Sequence, residues 1–231
     1  LTALSESAKM DKQKHSRSFQ DVSVSCGEII QEIVSGYGGK MICEDTSVKI
    51  GRPVIQYEET DWEFCERLAS RMGYGIYGSS TDVNPTLIVG HTEGKKVVLP
   101  IDKYRCCVDE KYYRNQWKGA GTKTEFLYYQ VETEENCAIG DYAHYQGQKR
   151  YIFEKKVALQ ENTLTFTYKM GGKCRFMKEE QYNKKIAGLS LAGKVERTEQ
   201  ENIYLKLDID GSTGKAIYPY PWKPVAGNLM Y

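Results

Sequence analysis

The sequence lacks a dominant charge. Its 231 residues carry 32 Lys and Arg against 31 Asp and Glu, so there is no basic excess to follow a nucleic-acid backbone. It lacks a long hydrophobic run, and nothing approaches the roughly 18–20 apolar residues that cross a bilayer. It has only three histidines, His15, His91 and His144, too far apart in the chain to form the spaced ligand set of a zinc site. It has no CxxC pair. The seven cysteines, Cys26, Cys43, Cys65, Cys106, Cys107, Cys137 and Cys174, are odd in number and scattered. That argues against a disulfide framework and for reduced cysteine used as a small hydrophobe, in a protein made in a cytoplasm. The first 17 residues are polar and lysine-rich, without the pattern of a secretory leader. With no initiator Met, the chain reads as an internal portion of a longer protein.

The motifs of common chemistry are missing too. Gly119-Ala120-Gly121 opens no fingerprint helix, and no strand–glycine–helix cradle for phosphate occurs elsewhere. There is no nucleophile elbow. Asp208-Ile209-Asp210-Gly211 starts like a calcium loop but has no acidic residue at the loop's end and a misplaced glycine; a turn after a strand accounts for it. The carboxylate pairs Glu58–Glu59, Glu134–Glu135 and Glu179–Glu180 are chain neighbours, which on a strand face opposite sides. Glycoside hydrolysis needs two carboxylates about 5–10 Å apart across a cleft, and nothing in the pattern points there. Cys106-Cys107 with a distant histidine can be drawn as a nucleophile pair, but strand-like neighbours Tyr104 and Val108 favour packing. No catalytic, cofactor-binding or metal-binding residue is singled out, and the chain is read as non-enzymatic.

Against these absences stands enough apolar content for a core, 40% of residues, and 18 tyrosines. Tyrosine suits half-buried strands and interfaces, where the ring packs and the hydroxyl stays wet. Residues 1–19 read as a basic connector, with Lys9, Lys12, Lys14, His15 and Arg17. Residues 25–38 predict a helix, with Ser25 and Glu28 as a capping box and Ile29, Ile30, Ile33 and Val34 as its apolar stripe. A polar, turn-rich segment follows. Residues 54–73 predict a strand running into a second helix. Thr60 and Glu63 form its capping box, Asp61 and Glu63 sit at the positive end of its dipole, and Gly73 ends it. Trp62, Cys65, Leu68, Ala69 and Met72 fall on one face. Residues 74–77 and 86–90 predict a hairpin.

From residue 96 the pattern changes to short strands separated by turns, at 96–101, 124–133, 141–145, 151–159 and 163–170, as in an antiparallel sheet that curls into a barrel. Residues 178–186 read as helical or irregular, 203–209 as a half-buried strand, and 218–222 as too proline-rich for a central strand. The aromatic run Phe126–Tyr129 beside Arg114 and Lys123 suggests either a base-stacking platform or a barrel or subunit interface. Trp117 and Trp222 with the tyrosines leave room for a carbohydrate-binding module. The fold class is α+β: a small two-helix module, an antiparallel β-barrel, and the start of another barrel.

The segment IQYEETDWEFCERLASRMGYGIY, residues 55–77, resembles the signature of the contractile-injection hub proteins, the VgrG-like, late-control-D-like and phage tail-hub families. RSFQDVSVSCGEIIQEIVSGY, residues 17–37, is similar to the first helix of that module. CAIGDYAHYQGQKRYIFEKKVALQENTLTFTYKMG, residues 137–171, resembles the family's second tube-like barrel. LAGKVERTEQENIYLKLDID with YPYPWKPVAGNLMY, within residues 191–231, resembles the opening of the OB-type barrel that seats a spike. The resemblance implies four parts. Residues 1–19 would end a preceding tube domain and form a connector. Residues 20–95 would be a small inserted domain, 96–187 a second tube domain, and 188–231 an incomplete OB-type domain. It also implies a homotrimeric structural hub at a virion or tail-like particle baseplate. Its partners would be the tail tube protein, the spike and other baseplate proteins, and it would need no cofactor and no membrane span. The alternative is a tail-associated protein that degrades cell wall or binds carbohydrate.

Overall fold

The computed structural model describes residues 4–80, 82–99, 104–110, 123–160 and 162–222. The features noted at Ile101, Arg114, Trp117, Gly119-Ala120-Gly121 and the side chain of Lys123 lie outside the described residues, as does 223–231. The chain divides into two compact units, one formed by Leu1–Val89 with Glu179–Tyr231, the other by Gly90–Lys178.

In the first unit a short 3-10 helix, Glu6–Asp11, leads to strand β1 (Lys14–Phe19). The expected connector is therefore a strand over its second half. Arg17 there is held by Gln56 and Asp61, which the charge run alone does not reveal, while Lys12 and Lys14 are exposed. Helix α1 (Cys26–Gly36) has the full capping box between Ser25 and Glu28. Cys26, Ile29, Ile30, Ile33 and Val34 are buried along one stripe, as the spacing predicts. Strand β2 (Lys40–Cys43) lies in the segment read as turns. Strand β3 (Val54–Thr60) pairs antiparallel with β1. It runs straight into helix α2 (Asp61–Arg71), capped reciprocally by Thr60 and Glu63.

Helix α2 ends as its glycine predicts. Gly73 has φ +82°. Its N–H reaches the Ser70 carbonyl at 3.0 Å, and the Tyr74 N–H reaches the Ala69 carbonyl at 2.9 Å. This is a Schellman stop, which satisfies two orphan carbonyls of the last turn. The buried face of α2 is shifted from the expected one. It runs through Asp61, Phe64, Cys65, Leu68 and Ala69, with Trp62 and Met72 at its rim. Strands β4 (Ile76–Gly78) and β5 (Thr86–Val89) form the predicted hairpin, and β2 adds to β5 in parallel. The two helices and these strands close over one core that includes Met10, Ile30, Ile50, Phe64, Leu68 and Leu87. Each such large side chain contributes about 1.5–3 kcal/mol of burial.

The second unit is one antiparallel sheet. Its strands are β6 (Tyr104–Val108), β7 (Leu127–Thr133), β8 (Tyr142–Tyr145), β9 (Gln148–Gln160) and β10 (Thr163–Gly171), in the order β6-β7-β10-β9-β8. On β7 the side chains alternate, with Tyr129 and Val131 inward. They join Tyr145, Ile152, Phe166, Tyr168 and Met170 in a second core. The edge strands β6 and β8 are four strand spacings apart, about 19 Å in a flat sheet. Yet Tyr104 and Tyr145 meet with ring centroids 5.8 Å apart, and Tyr129 stacks on Tyr145 at 5.2 Å. The sheet is rolled so far that its edges touch through side chains. No hydrogen-bonded pairing joins β6 to β8 among the described residues.

Strands β11 (Gly193–Glu199), β12 (Asn202–Leu207) and β13 (Pro219–Pro221) form a third sheet, in the order β11-β12-β13, belonging to the first unit. The proline strand takes an edge, where a missing N–H costs no ladder bond. β11 is exposed along its whole length, and neither hydrophobic cluster includes a residue of this sheet. The architecture is thus α+β, with sheets predominating. Among the described residues, no helix is long and apolar enough to cross a membrane.

Candidate functional site

The most enzyme-like arrangement surrounds Asp61, at the first turn of α2. Its carboxylate is 4% exposed as a residue. Arg17 Nη2 donates to Oδ1 at 2.6 Å, Gln56 Nε2 to the same oxygen at 3.0 Å, and the Tyr37 hydroxyl to Oδ2 at 2.8 Å. His15 Nε2 stands 3.8 Å from Oδ2. Gln56 is itself fully buried and also accepts from Arg17 Nε at 2.8 Å.

Local sequence explains the convergence. The register between β1 and β3 slips between His15 and Arg17, a β-bulge opposite Tyr57 and Glu58, and Glu58 takes φ +47°. The extra residue resets the alternation, so Gln56 and Glu59 both face inward. Glu59 then meets Arg67 of α2 in a two-pronged pair, Nε to Oε1 at 2.8 Å and Nη2 to Oε2 at 2.7 Å.

Chemically this cluster is a clasp rather than a reaction centre. Both oxygens of Asp61 accept hydrogen bonds. Burial, and then the bond to Asp61, push the Tyr37 phenol up to about 12, too high for a proton carrier near neutrality. Its bonds tie β1, β3, α1 and α2 together. The sequence showed Asp61 only as a dipole partner, and neither the bulge nor Gln56 has a sequence signature.

The other residues weighed from the sequence do not converge. His91 is packed edge-on between Tyr151, at 4.2 Å, and Phe176, at 5.0 Å. His144 lies on β8 with its ring 5.9 Å from Tyr142. All seven cysteines are free; Cys26, Cys65 and Cys137 are buried as small hydrophobes, whereas Cys43 and Cys107 are half-buried and Cys106 and Cys174 are exposed, against that reading. Among the described residues, no group of three or more His, Cys, Asp or Glu is placed to hold a metal ion. Asp210 caps no ion site. It accepts from the Ser18 N–H at 2.5 Å and the Ser18 hydroxyl at 2.6 Å, pinning the turn after β12 to β1. Beside this pin is an open cleft of about 620 Å³, lined by Phe19, Ile29, Glu32, Asp210, Lys215 and Ile217 among others.

Outward-facing side chains are the second feature. Arg175 lies between the rings of Tyr128 and Phe153 and donates to Asp109 and to the Phe126 carbonyl, so this part of the aromatic run is occupied by the protein's own cation. The far end of the β9–β10 hairpin is different: Val157, Leu159 and Leu164 are 52%, 69% and 52% exposed.

No protein-family model matches the chain, and no curated protein matches it. Solved structures do. The E. coli c3393 protein is described as a component of the type VI secretion system with structural similarity to the T4 bacteriophage tail proteins gp27 and gp5. It matches with a TM-score of 0.61 at 14% identity, over 94% of this chain and 70% of its own. The 43 kDa tail protein of prophage MuSo2 from Shewanella oneidensis matches at 0.55 and 10%, over 77% and 71%. A tail protein from Neisseria meningitidis MC58 matches at 0.50 and 8%, over 71% of each chain. This chain has the fold of those tail proteins. At such identities the likeness is one of backbone architecture.

Proposed function

We propose that the chain is a structural hub protein of a contractile injection particle, a phage tail, a tail-like bacteriocin or a related injector. It would join a hexameric tail tube to a trimeric spike at the baseplate. The observation that carries this reading is the likeness of 94% of the chain to a secretion component that itself resembles gp27 and gp5. The hub-like wording of residues 55–77 points the same way and is independent of the backbone comparison.

The parts have natural roles in that reading. The rolled, tyrosine-lined sheet of Gly90–Lys178 is the second tube domain, closing as a barrel. The helix module is the small inserted domain. The sheet of β11–β13, with no core of its own, is the opening of an OB-type barrel. Residues 1–19 enter from a preceding tube domain. Three copies form the ring. The role is mechanical: the polar cluster at Asp61 is occupied in holding strands to helices. Gold-labelled antibody against this chain should decorate tail-like particles of the source organism at the spike end of the tube. Label spread along the tube, or on particles' capsids, contradicts the assignment.

A further inference from the structure

The inner face of the rolled sheet holds a cation that the fold does not pair. Arg150, on β9, is 6% exposed, and among the described residues no carboxylate forms an ion pair with it. Of its guanidinium nitrogens only Nη2 has an acceptor, the side-chain oxygen of Gln148, and Nε is buried without one. The guanidinium lies over the Tyr129 ring, with Cζ 5.6 Å from the centroid. Arginine does not lose its proton in a protein, so burial cannot be relieved by neutralising it. A ring face and one amide oxygen offset part of the cost of burying it, and neither carries the negative charge that balances it. Tyr145 has a matching defect on the facing strand. It is 3% exposed, and its hydroxyl makes no hydrogen bond among the described residues. Burial, and then nearby Tyr104, push its phenol above the ordinary value, so the hydroxyl keeps its proton and remains a donor.

The two groups are brought together by the strand register. Ala143 opposes Arg150 and Tyr145 opposes Gln148, so Tyr145 and Arg150 are diagonal neighbours on one face, a spacing that long side chains span. Both also lie against Tyr129, with Tyr145 stacked on that ring at 5.2 Å. Gln148, beside them, is exposed, so water is one side chain away. We propose that Arg150 and Tyr145 bind a small oxyanion, a carboxylate or an inorganic phosphate or sulfate, which enters past Gln148. The Arg150 Nε–H and the Tyr145 O–H are its donors, and the fixed positive charge selects an anion over water. Bound there, the anion ties β8 to β9 at the point where both meet Tyr129 of β7. The site stands apart from the hub reading, and neither depends on the other.

The test uses the full-length chain, melted and titrated by calorimetry in phosphate, sulfate and acetate, with chloride at equal ionic strength as the reference. The melting point should rise and saturate, by roughly 5 °C or more at a hundredfold excess over Kd. Excluded salts stabilise any fold without saturating, so a rise that stays linear in all three anions overturns the site. Arg150→Met removes the charge at similar volume; it should melt no lower than wild type in chloride and lose the saturable response. Arg150→Lys keeps the charge without the planar fork, and Tyr145→Phe removes one donor; each should weaken binding about tenfold with the fold intact. Saturation by acetate alone assigns the site to a carboxylate, and saturation by phosphate or sulfate assigns it to an inorganic ion. A saturable response unchanged in Arg150→Met, or in both Arg150→Lys and Tyr145→Phe, puts the anion elsewhere and overturns the proposal, with the hub reading left standing.

Discussion

At the junction of β3 and α2, Asp61, Gln56, Glu59 and Arg67 are folded inward and each finds a partner within the chain. The apolar residues beside them, Phe64, Cys65 and Leu68, are sealed in a core. Along the β9–β10 ribbon of the other unit, Leu159 and Leu164 carry the same kind of side chain on a regular element and are left in water. The first region holds the fold; the second is fully formed and yet incomplete. The difference separates residues whose loss would unfold the chain from residues whose loss the fold should tolerate.

The contrast can be broken most severely at Asp61. Asp61→Ala should cost the first unit about 3 kcal/mol in chemical unfolding, because it removes the buried carboxylate to which Arg17, Gln56 and Tyr37 all donate. A loss no larger than that of an exposed carboxylate would mean the clasp is not what joins β1 to α2. Tyr168→Phe should cost the second unit about 2 kcal/mol. Its hydroxyl accepts from the Cys137 N–H at 2.7 Å and donates to the Glu135 carbonyl at 2.7 Å, and both backbone groups would lose their partner. Thr60→Ala should cost about 1 kcal/mol by removing one half of the α2 capping box. Leu159→Ser should change the stability of the isolated chain by less than about 0.5 kcal/mol.

Alkaline pH probes both units together. Burial raises Tyr37 and Tyr168 to about 12 in the folded chain, above the free phenol near 10. A raised folded pKa means the folded state holds the proton more tightly. The stability these groups add is complete below about pH 10 and lost as the pH rises toward about 12. Unfolding followed in that window should show the loss, and Tyr168→Phe should flatten the second unit's share of it.

Local signals were legible where they depend on neighbours in the chain. Both capping boxes, the Gly73 stop and the Ile29–Val34 stripe all rest on near neighbours in the chain. Features that depend on distant partners were not. Residues 14–19 read as a linker because their partners, Gln56, Asp61 and Asp210, lie roughly 40 and 190 positions away. Strand β2 is four residues inside a turn-rich stretch, and it exists because β5 is there to pair with it. The bulge at Glu58 hid Gln56 and Glu59, since one extra residue inverts the inward set. The exposed ribbon was equally invisible, because Val157, Leu159 and Leu164 show the same alternation as a buried strand.

Native mass spectrometry of the full-length chain tests the central claim most directly. The account predicts a species of three copies. A wild-type chain found only as a monomer would contradict it.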